Sequence, residues 1–235
     1  TTNRGIGFAY VDKIARDEVQ MEDLTNPALL EAKLQEIGPA KEKAIADMGG
    51  DPTVVRYAPF IDEYLEIGKR LKERVTDVSR EINIALVEDK SVLAEGAQGA
   101  FLDVIHGTQK FVTSSFTTAG SACANLGVGP VMVDNVVGVI KAYITRVGEG
   151  PMPTELKDDL GVQMREKGAE YGTTTGRARR CGWFDAVLGL KSVHLNGYTE
   201  LALTKLDVLT GINPIKICVG YELDGEKLGY PPEST

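Results

Sequence analysis

Three arginines lie within four positions of the segment Tyr171–Arg180, directly after three threonines bracketed by glycines. The whole chain has a formal net charge of -8, so this local positive cluster runs against the background. Glycine lets the backbone come close to a ligand, threonine hydroxyls donate hydrogen bonds, and a guanidinium grips a carboxylate or phosphate with two parallel donors. The segment predicts an anion-binding loop, although a solvated basic loop without a ligand has the same composition.

A second candidate is the tetrapeptide Thr204-Lys205-Leu206-Asp207, which follows an apolar run. A carboxylate can accept two parallel hydrogen bonds from the N1–H and the exocyclic amine of guanine, and adenine does not offer that pair. In an extended chain Lys205 points to the same side as Asp207, so its methylene stem can lie along the base. The pattern indicates a guanine site, and a chance strand end is the alternative.

Two further stretches combine turns with polar side chains. Ser91–Glu95 predicts a short strand, and the glycine turn Gly96–Gly99 that follows contains Gln98. Open α/β sheets bind ligands beyond the carboxyl ends of their strands, so Gln98 is a candidate ligand residue, and a plain turn is the alternative. Phe111–Gly120 is rich in hydroxyl groups, which suits a phosphate site or an ordinary loop.

The elements that position these residues are predicted to be helices and strands in alternation. Asn26-Pro27 is typical of a helix start, and apolar spacing predicts helices over residues 28–48 and 59–86. The β-branched run Met132–Ala142 fits a strand or a buried helix, and its length favours the helix. Glu200–Asp207 predicts a buried strand.

Composition excludes several classes of protein. The 235 residues are 43% hydrophobic and 26% charged, and the pI of about 5.0 disfavours nucleic acid as a partner, because a phosphate backbone attracts a basic surface. The sequence has no apolar run long enough to span a membrane and no signal-peptide pattern. Three widely spaced cysteines and two histidines predict free thiols in a reducing cytoplasm and no zinc site.

The ends of the sequence predict a piece of a longer protein. The chain opens on Thr1-Thr2 without an initiator methionine, and its last residues, 230–235, follow no element that closes the fold.

Six segments, taken in order, resemble the adenylosuccinate synthetase family. They are TTNRGIGFAYVDKIAR, LAEGAQGAFLD, HGTQKFVTSSFTTAG, KAYITRVGEGPMPTE, YGTTTGRARRCGWFDAV and LTKLDVL. The resemblance covers nearly the whole chain, and the region from about Asp23 to Asp89 is its least diagnostic part. It implies an α/β fold like that of the P-loop NTPases, with a central, mostly parallel sheet flanked by helices. We therefore expect a single partial domain over residues 1–235, with a long helical insertion at 23–89.

The resemblance also implies a reaction. The family is a C–N bond-forming ligase that joins IMP and L-aspartate into adenylosuccinate in the purine pathway to AMP, with GTP as co-substrate and Mg²⁺ as cofactor. The 6-oxygen of IMP is phosphorylated first, and the aspartate amine then displaces that phosphate. The resemblance implies a homodimer, and composition, as described above, predicts a cytoplasmic protein with no nucleic-acid or membrane partner.

The family's roles transfer onto matching positions of this chain. Thr2 and Thr113 match donors to the IMP 5′-phosphate, and Gln98 matches the glutamine near the 6-position of IMP, where it is the one catalytic candidate. Arg16 resembles the arginine that reaches the IMP phosphate of the neighbouring subunit. The remaining roles are aspartate binding by Thr174, Thr175, Arg177 and Arg179, contact with the IMP ribose by Arg177, and GTP binding by Arg179, Lys205, Leu206 and Asp207.

The sequence departs from the family pattern in several places. Ala178 stands where many relatives have arginine, and Phe8 replaces a common proline. The family's glycine-rich phosphate loop, its aspartate base and Mg²⁺ ligand, and its histidine acid would precede Thr1, and the neighbours of His106 match a different segment. We therefore expect the metal ligands outside this chain. The alternative to a working ligase is a non-catalytic nucleotide-binding or dimerising fragment, unable to perform the first phosphorylation.

Overall fold

The computed structural model describes residues 4–108, 110–173 and 176–230. The described chain divides into a helical unit, Gly5–Asp89, and an α/β unit that contains Arg4 and the described residues from Lys90 onward. Three of the predicted binding residues, Thr2, Thr174 and Thr175, lie outside the described residues. In the part of the chain that is described, no helix has both the length and the apolar character needed to cross a membrane.

The helical unit is described throughout and consists of helices and turns. Its α-helices are α1 (Ile6–Ala15), α2 (Met21–Leu24), α3 (Pro27–Asp47), α4 (Ile61–Leu71) and α5 (Val78–Val87). The predicted start of α3 is confirmed: Asn26 Oδ1 accepts hydrogen bonds from the backbone N–H groups of Ala28 (3.2 Å) and Leu29 (3.4 Å), and Pro27 is the first helical residue. The helical insertion predicted over residues 23–89 falls within this unit. The assignment of residues 1–235 to a single partial domain with this insertion stays a prediction.

The single helix predicted over residues 59–86 is wrong. The chain leaves α4 through a 3-10 turn at Lys72–Arg74 and becomes extended at Val75. Asp77 then starts α5 by accepting a hydrogen bond from the Arg80 N–H at 3.0 Å. The Asp77 side chain starts a new helix because it satisfies a free backbone N–H group. The apolar spacing is helical on both sides of this break, so spacing alone predicts one continuous helix.

The α/β unit contains three α-helices and seven strands among its described residues. The helices are α6 (Gly120–Leu126), α7 (Asp159–Gly168) and α8 (Ala186–Asn196). The strands are β1 (Val137–Lys141), β2 (Tyr143–Val147), β3 (Arg179–Asp185), β4 (Glu200–Thr204), β5 (Ile217–Cys218), β6 (Tyr221–Leu223) and β7 (Glu226–Leu228). The expected α/β class with parallel strand pairing and flanking helices is therefore confirmed.

The described strands form three sheets. β1 and β4 pair in parallel, from Val137 opposite Glu200 to Lys141 opposite Thr204. β3 is the centre of the second sheet, antiparallel to β2 and parallel to β5. β6 and β7 form an antiparallel hairpin.

Three expectations about secondary structure in this unit are wrong. Met132–Ala142 contains β1 and no α-helix, because pairing with β4 selects the strand that its β-branched residues also favour. Residues 91–95 lie outside any strand, and the structure pairs them with no strand among the described residues. The strand predicted over Glu200–Asp207 ends at Thr204, and all five residues of β4 are exposed where a buried strand was expected.

One hydrophobic cluster holds the unit together. It joins Tyr143 of β2, Met164 of α7 and Cys181 of β3 to Val208 and Leu209. Leu206–Leu209 forms a 3-10 turn directly after β4. The core therefore fixes the end of β4 against α7 and β3, and the arginine-rich segment lies between these two elements in the chain.

Candidate active site

The arginine-rich segment forms a short hairpin at the start of β3. Tyr171 and Ala178 face each other in a β-bridge, and the Gly172 N–H donates to the Arg177 carbonyl at 2.8 Å. Gly176 has φ 63°, a left-handed conformation that glycine adopts without strain. Arg177 lies on the exposed rim of this hairpin, while Arg179 is half-buried at its base.

A buried carboxylate, which the sequence analysis did not single out, lies at the base of the hairpin. Glu170 is 1% exposed, and its oxygens accept hydrogen bonds from Lys141 Nζ (2.8 and 2.7 Å), Tyr143 Oη (2.6 Å) and Arg179 Nη1 (2.8 Å). The Arg179 backbone N–H also donates to the Glu170 carbonyl at 2.9 Å. Glu170 thus connects β1, β2 and β3 at one point, which we call the Glu170 junction.

The Glu170 junction holds its carboxylate in the charged form. Burial acts to raise the pKa of Glu170, but hydrogen bonds from Lys141 and Tyr143, the positive charge of Lys141 and the bond from Arg179 outweigh burial, so its pKa lies below the ordinary value. Burial, followed by the hydrogen bond and charge of Glu170, raises the pKa of the Tyr143 hydroxyl. Burial also lowers the pKa of Lys141, against the opposing effect of Glu170.

The tetrapeptide Thr204–Asp207 meets this junction through the end of α7. Lys205 Nζ donates to the Gly168 carbonyl at 2.8 Å, two residues before Glu170. The prediction that Lys205 and Asp207 share one side of an extended chain is wrong: Lys205 is left-handed, with φ 62°, and Asp207 belongs to a 3-10 turn. The Leu206 and Asp207 side chains are exposed, so they are available to a ligand.

The hydroxyl-rich loop is anchored by a second buried carboxylate. Asp103 is 1% exposed, and it accepts from the backbone N–H groups of Ile105 (2.9 Å), His106 (2.9 Å) and Thr117 (2.7 Å). Burial acts to raise the pKa of Asp103, but these backbone hydrogen bonds outweigh it and the pKa lies below the usual range. The loop carries the half-buried Thr113, whose N–H donates to the Leu102 carbonyl at 2.8 Å.

An arginine of β2 joins this loop to the arginine-rich strand. Arg146 Nη2 donates to Thr108 Oγ1 and to the Phe111 carbonyl, both at 2.9 Å. Arg146 is paired with Arg180, the residue after Arg179, across the β2–β3 ladder. Arg180 itself holds Glu155 through Nε at 2.8 Å and Nη2 at 2.6 Å, so it is a structural arginine rather than an open ligand.

The structure therefore brings several predicted residues into one part of the α/β unit. Arg179, Lys205 and the loop of Thr113 are linked by the Glu170 junction and by Arg146. Gln98 is exposed and left-handed, with φ 63°, next to Gly99, whose carbonyl accepts from Thr117 Oγ1. Arg16 is exposed at the end of α1 in the helical unit.

Comparison with known proteins decides the family. The adenylosuccinate synthetase family model matches residues 1–235. This chain belongs to the adenylosuccinate synthetase family. The adenylosuccinate synthetase of Methanothrix thermoacetophila is 78% identical over 235 residues, and that of Methanococcoides burtonii is 63% identical over the same length. The chain spans 56% of the length of each of these relatives.

The fold agrees with the same family. The structure of a fully ligated adenylosuccinate synthetase from Plasmodium falciparum superposes on the chain with a TM-score of 0.91 at 38% identity. The match covers 100% of this chain and 55% of that one. The family is a purine-biosynthesis ligase family, and its α/β architecture is the one described above.

The motifs shared with the adenylosuccinate synthetase family did not reveal the two buried carboxylates that hold them in place. Glu170 directly precedes the arginine-rich segment and Asp103 is the last residue of the segment LAEGAQGAFLD, but neither was singled out as a functional residue. Their burial could not be read from neighbouring residues, because the donors of Glu170 lie 9 to 29 residues away along the chain. An acidic residue directly before an arginine-rich loop is the sequence signal that could have identified Glu170 as a partner of these arginines.

The described residues contain no acidic cluster of the kind that holds a magnesium ion. Across residues 4–108, 110–173 and 176–230, no group of three or more His, Cys, Asp or Glu side chains could hold a metal ion. The Glu170 and Asp103 carboxylates are also engaged elsewhere, since each accepts three or more hydrogen bonds from protein donors.

Proposed function

We propose that the protein containing this chain is a GTP-dependent ligase that joins IMP and L-aspartate into adenylosuccinate, through a 6-phosphoryl-IMP intermediate. The chain belongs to that family but spans little more than half of its relatives' length, so the activity is proposed for the full-length protein. Within it, the α/β unit would supply parts of the aspartate, guanine and IMP sites.

One observation carries the proposal. The residues Gly168–Glu170 at the end of α7 contact both predicted motifs, through Lys205 on the guanine side and Arg179 on the aspartate side. A ligase that uses GTP to form a C–N bond between a purine ring and an amino acid needs the nucleotide and the amino acid close to the same reacting centre, since positioning supplies much of the rate. A contiguous arrangement of the two motifs meets this requirement.

The arginine hairpin suits a small dicarboxylate. Arg179 uses one N–H donor on Glu170, and a guanidinium carries five, so other donors remain for a carboxylate of the substrate. Arg177 lies on the exposed rim, where it would contact the ribose of IMP. Thr174 and Thr175, between these arginines and Thr173, are proposed as hydroxyl donors to aspartate.

The tetrapeptide suits guanine. Asp207 is exposed, and its two carboxylate oxygens can accept the N1–H and the exocyclic amine of the base. Lys205 and the exposed Leu206 are proposed to lie against the base and its sugar. Adenine does not offer these two donors, so its binding would leave the oxygens of the Asp207 carboxylate without partners. This loss is the proposed source of discrimination against ATP.

The IMP site is proposed at Gln98, Thr113 and Thr2, with Arg16 from a second subunit. Gln98 and Arg16 are two of the seven non-glycine residues with positive φ in the part of the chain that the structure describes. Such conformations cost energy and cluster at functional sites, so this coincidence supports the assignment.

The proposed chemistry has two balanced steps. IMP loses its N1 proton to the family's aspartate base, which is expected outside this chain. Its 6-oxygen forms a bond to the γ-phosphorus of GTP, the β–γ bridging bond breaks and GDP leaves. The aspartate amine then attacks C6, the bond from C6 to the phosphoryl oxygen breaks, phosphate leaves, and the new C–N nitrogen gives up a proton to solvent. Gln98 would orient the 6-substituent, and the cationic hairpin would stabilise the developing charge, which is the main protein contribution in phosphoryl transfer. Magnesium stays a prediction from the family resemblance for residues outside this chain.

Two further properties belong to the same proposal. A homodimer is proposed because Arg16 would act on the neighbouring subunit, and the apolar Phe8 and Ile14 of α1 are exposed beside it. A cytoplasmic location is proposed because Cys123, Cys181 and Cys218 are all free thiols.

A second candidate is that these 235 residues alone form a non-catalytic nucleotide-binding or dimerising fragment. The observation that favours it is the lack of a metal-binding cluster among the described residues, since phosphoryl transfer needs a metal to neutralise charge. The same chain would then bind GTP without forming product.

The test is steady-state kinetics on the full-length protein and on the Asp207→Asn variant. We expect adenylosuccinate formation from IMP, aspartate and GTP, and a roughly 100-fold lower kcat/KM for GTP in the variant, with a smaller preference over ATP. Asp224→Asn, in the exposed β6–β7 turn, is the control and should match the wild type. Absence of product would refute the ligase, and unchanged discrimination against ATP would refute the guanine site.

A further inference from the structure

Glu170 differs from the other buried acidic residues in the groups that donate hydrogen bonds to its carboxylate. Within the described part of the chain, Asp103 and Asp185 are also buried acidic residues, and Asp185 caps α8 by accepting from the Leu188 N–H at 3.0 Å. The Asp103 carboxylate binds backbone N–H groups, and the Asp185 carboxylate also accepts from one side chain, the Tyr221 hydroxyl, at 2.5 Å. The Glu170 carboxylate instead accepts from three side chains, one of which is the proposed aspartate ligand Arg179.

We propose that Glu170 is a positioning residue, which sets the plane and direction of the Arg179 guanidinium for the carboxylate of the substrate aspartate. The proposal rests on the proposed function, because it requires Arg179 to bind aspartate.

The geometry restrains Arg179 at two points. Its backbone N–H donates to the Glu170 carbonyl at 2.9 Å, and its Nη1 donates to Glu170 Oε2 at 2.8 Å. One fixed backbone point and one fixed nitrogen at the other end leave a planar side chain little freedom, so its remaining donors point in a defined direction. The arginine side chain is still 27% exposed, so a ligand can reach it.

Electrostatics makes the restraint depend on Glu170. Lys141 Nζ lies 2.7 Å from the same Oε2 that binds Arg179, so the carboxylate separates and neutralises two neighbouring cations. Without the negative charge these cations repel each other, and Arg179 can relieve the repulsion by moving toward solvent. The substrate would then have to order the side chain when it binds.

The same contacts exclude a direct role for Glu170 as a base. Its oxygens already accept from Lys141, Tyr143 and Arg179, and the residue is 1% exposed. A general base needs a free lone pair within reach of the proton that it removes. Glu170 therefore acts through Arg179 and not on the substrate.

The experiment compares four variants of the full-length protein: Glu170→Gln, Arg179→Leu, the double variant, and the control Glu166→Gln. Glu166 lies on the same helix end, but its carboxylate accepts from Tyr171 Oη instead of Arg179. KM for aspartate, KM for IMP, KM for GTP and kcat are measured for each, together with the midpoint of thermal unfolding.

We expect Glu170→Gln to raise KM for aspartate by about 10- to 100-fold, with KM for IMP changed by less than about twofold. Because Arg179 is also a predicted GTP-binding residue, KM for GTP should rise too, but by less than KM for aspartate. The double variant should match Arg179→Leu, because removing a positioning residue has no further effect once the positioned side chain is gone. Glu166→Gln should match the wild type. A merely structural role would lower the unfolding midpoint without this selectivity for aspartate.

The outcomes separate the two proposals. If Arg179→Leu leaves KM for aspartate unchanged, the aspartate site of the proposed function is wrong. If Arg179→Leu raises it and Glu170→Gln does not, or if the two effects multiply in the double variant, the positioning role is overturned. Should Glu170→Gln fail to fold, Glu170→Asp keeps the charge but withdraws it by one methylene, and an unchanged KM for aspartate in that variant would overturn the proposal.

Discussion

Two substitutions at the end of α7, Gly168→Ala and Ala169→Gly, are expected to change the stability of the protein in opposite directions. Gly168 packs against the Glu170 junction: a Cβ built on it would overlap the Tyr143 hydroxyl and lie 3.1 Å from Glu170 Cγ. Tyr143 and Glu170 are each 1% exposed and are hydrogen-bonded to each other at 2.6 Å, so neither can move aside freely.

The cost of Gly168→Ala follows from these contacts. Overpacking a filled core costs about 1–3 kcal/mol, and displacing Tyr143 weakens a charge-assisted hydrogen bond that contributes about 1.5–3 kcal/mol. We expect the variant to lower the free energy of unfolding by about 3–5 kcal/mol. The sign is informative, because an ordinary helical Gly→Ala change raises stability by about 0.5–1 kcal/mol.

Ala169→Gly should do the reverse. Ala169 ends α7 in the left-handed conformation, with φ 50° and ψ 46°, and its side chain is exposed. This conformation costs a non-glycine residue about 1–2 kcal/mol, part of which is offset because glycine gains freedom in the unfolded chain. The expected net effect is a stabilisation of about 0.5–1 kcal/mol.

The assay is urea unfolding of the full-length variants followed by circular dichroism at pH 7, without added ligand. Gly189→Ala in α8 is the control, since a Cβ there would meet its nearest atom, Phe184 Cζ, at an ordinary 3.4 Å. This control should gain stability by about 0.5–1 kcal/mol. If Gly168→Ala behaved like the control, the close packing of α7 on β2 would be wrong, and a loss of stability in Ala169→Gly would contradict the left-handed helix end.

Two further predictions concern the ligand sites. Arg179→Leu should raise KM for aspartate by at least about tenfold and change KM for IMP far less, because the lost donors are charged; equal rises in both, measured by steady-state kinetics, would contradict the assignment. Asp103→Asn should lower the free energy of unfolding by about 2–3 kcal/mol at pH 7, since the amide group leaves one backbone donor of the Thr113 loop unpaired. The pKa of Asp103 is lowered in the folded protein, so the stabilisation by the carboxylate is complete above its unfolded pKa of about 3.9 and is lost as pH falls through the folded value. A difference between the two proteins that stayed constant in urea titrations from pH 7 to below that range would refute the anchoring role.

Local features of this protein follow from the sequence alone. The start of α3 at Asn26-Pro27 was predicted correctly because capping depends on a side chain and on the two or three backbone groups that follow it. The six segments likewise sufficed to predict the family that the comparisons confirmed, and the α/β class came with it.

Two of the predictions of secondary structure were wrong for different reasons, one because the deciding contact is distant in the sequence and one because a local cap was overlooked. The apolar run Met132–Ala142 fits a helix by length, but β4, some 60 residues later, pairs with it as a strand. The single helix predicted over residues 59–86 failed for the opposite reason, since a local cap at Asp77 interrupts a pattern that is periodic on both sides.

The sequence determined which side chains could bind an anion or a guanine, and only the tertiary structure decided how they are held. Arg179 and Lys205 were identified from their types and spacing, but Glu170 is recognised only once Lys141, 29 residues away, and Tyr143 surround it. Lys205 reaches Gly168, 37 residues away, because the chain turns left-handed where an extended strand was expected. Residue type fixes what a group can donate or accept, whereas burial and the charge beside it come from segments that meet only in the folded chain.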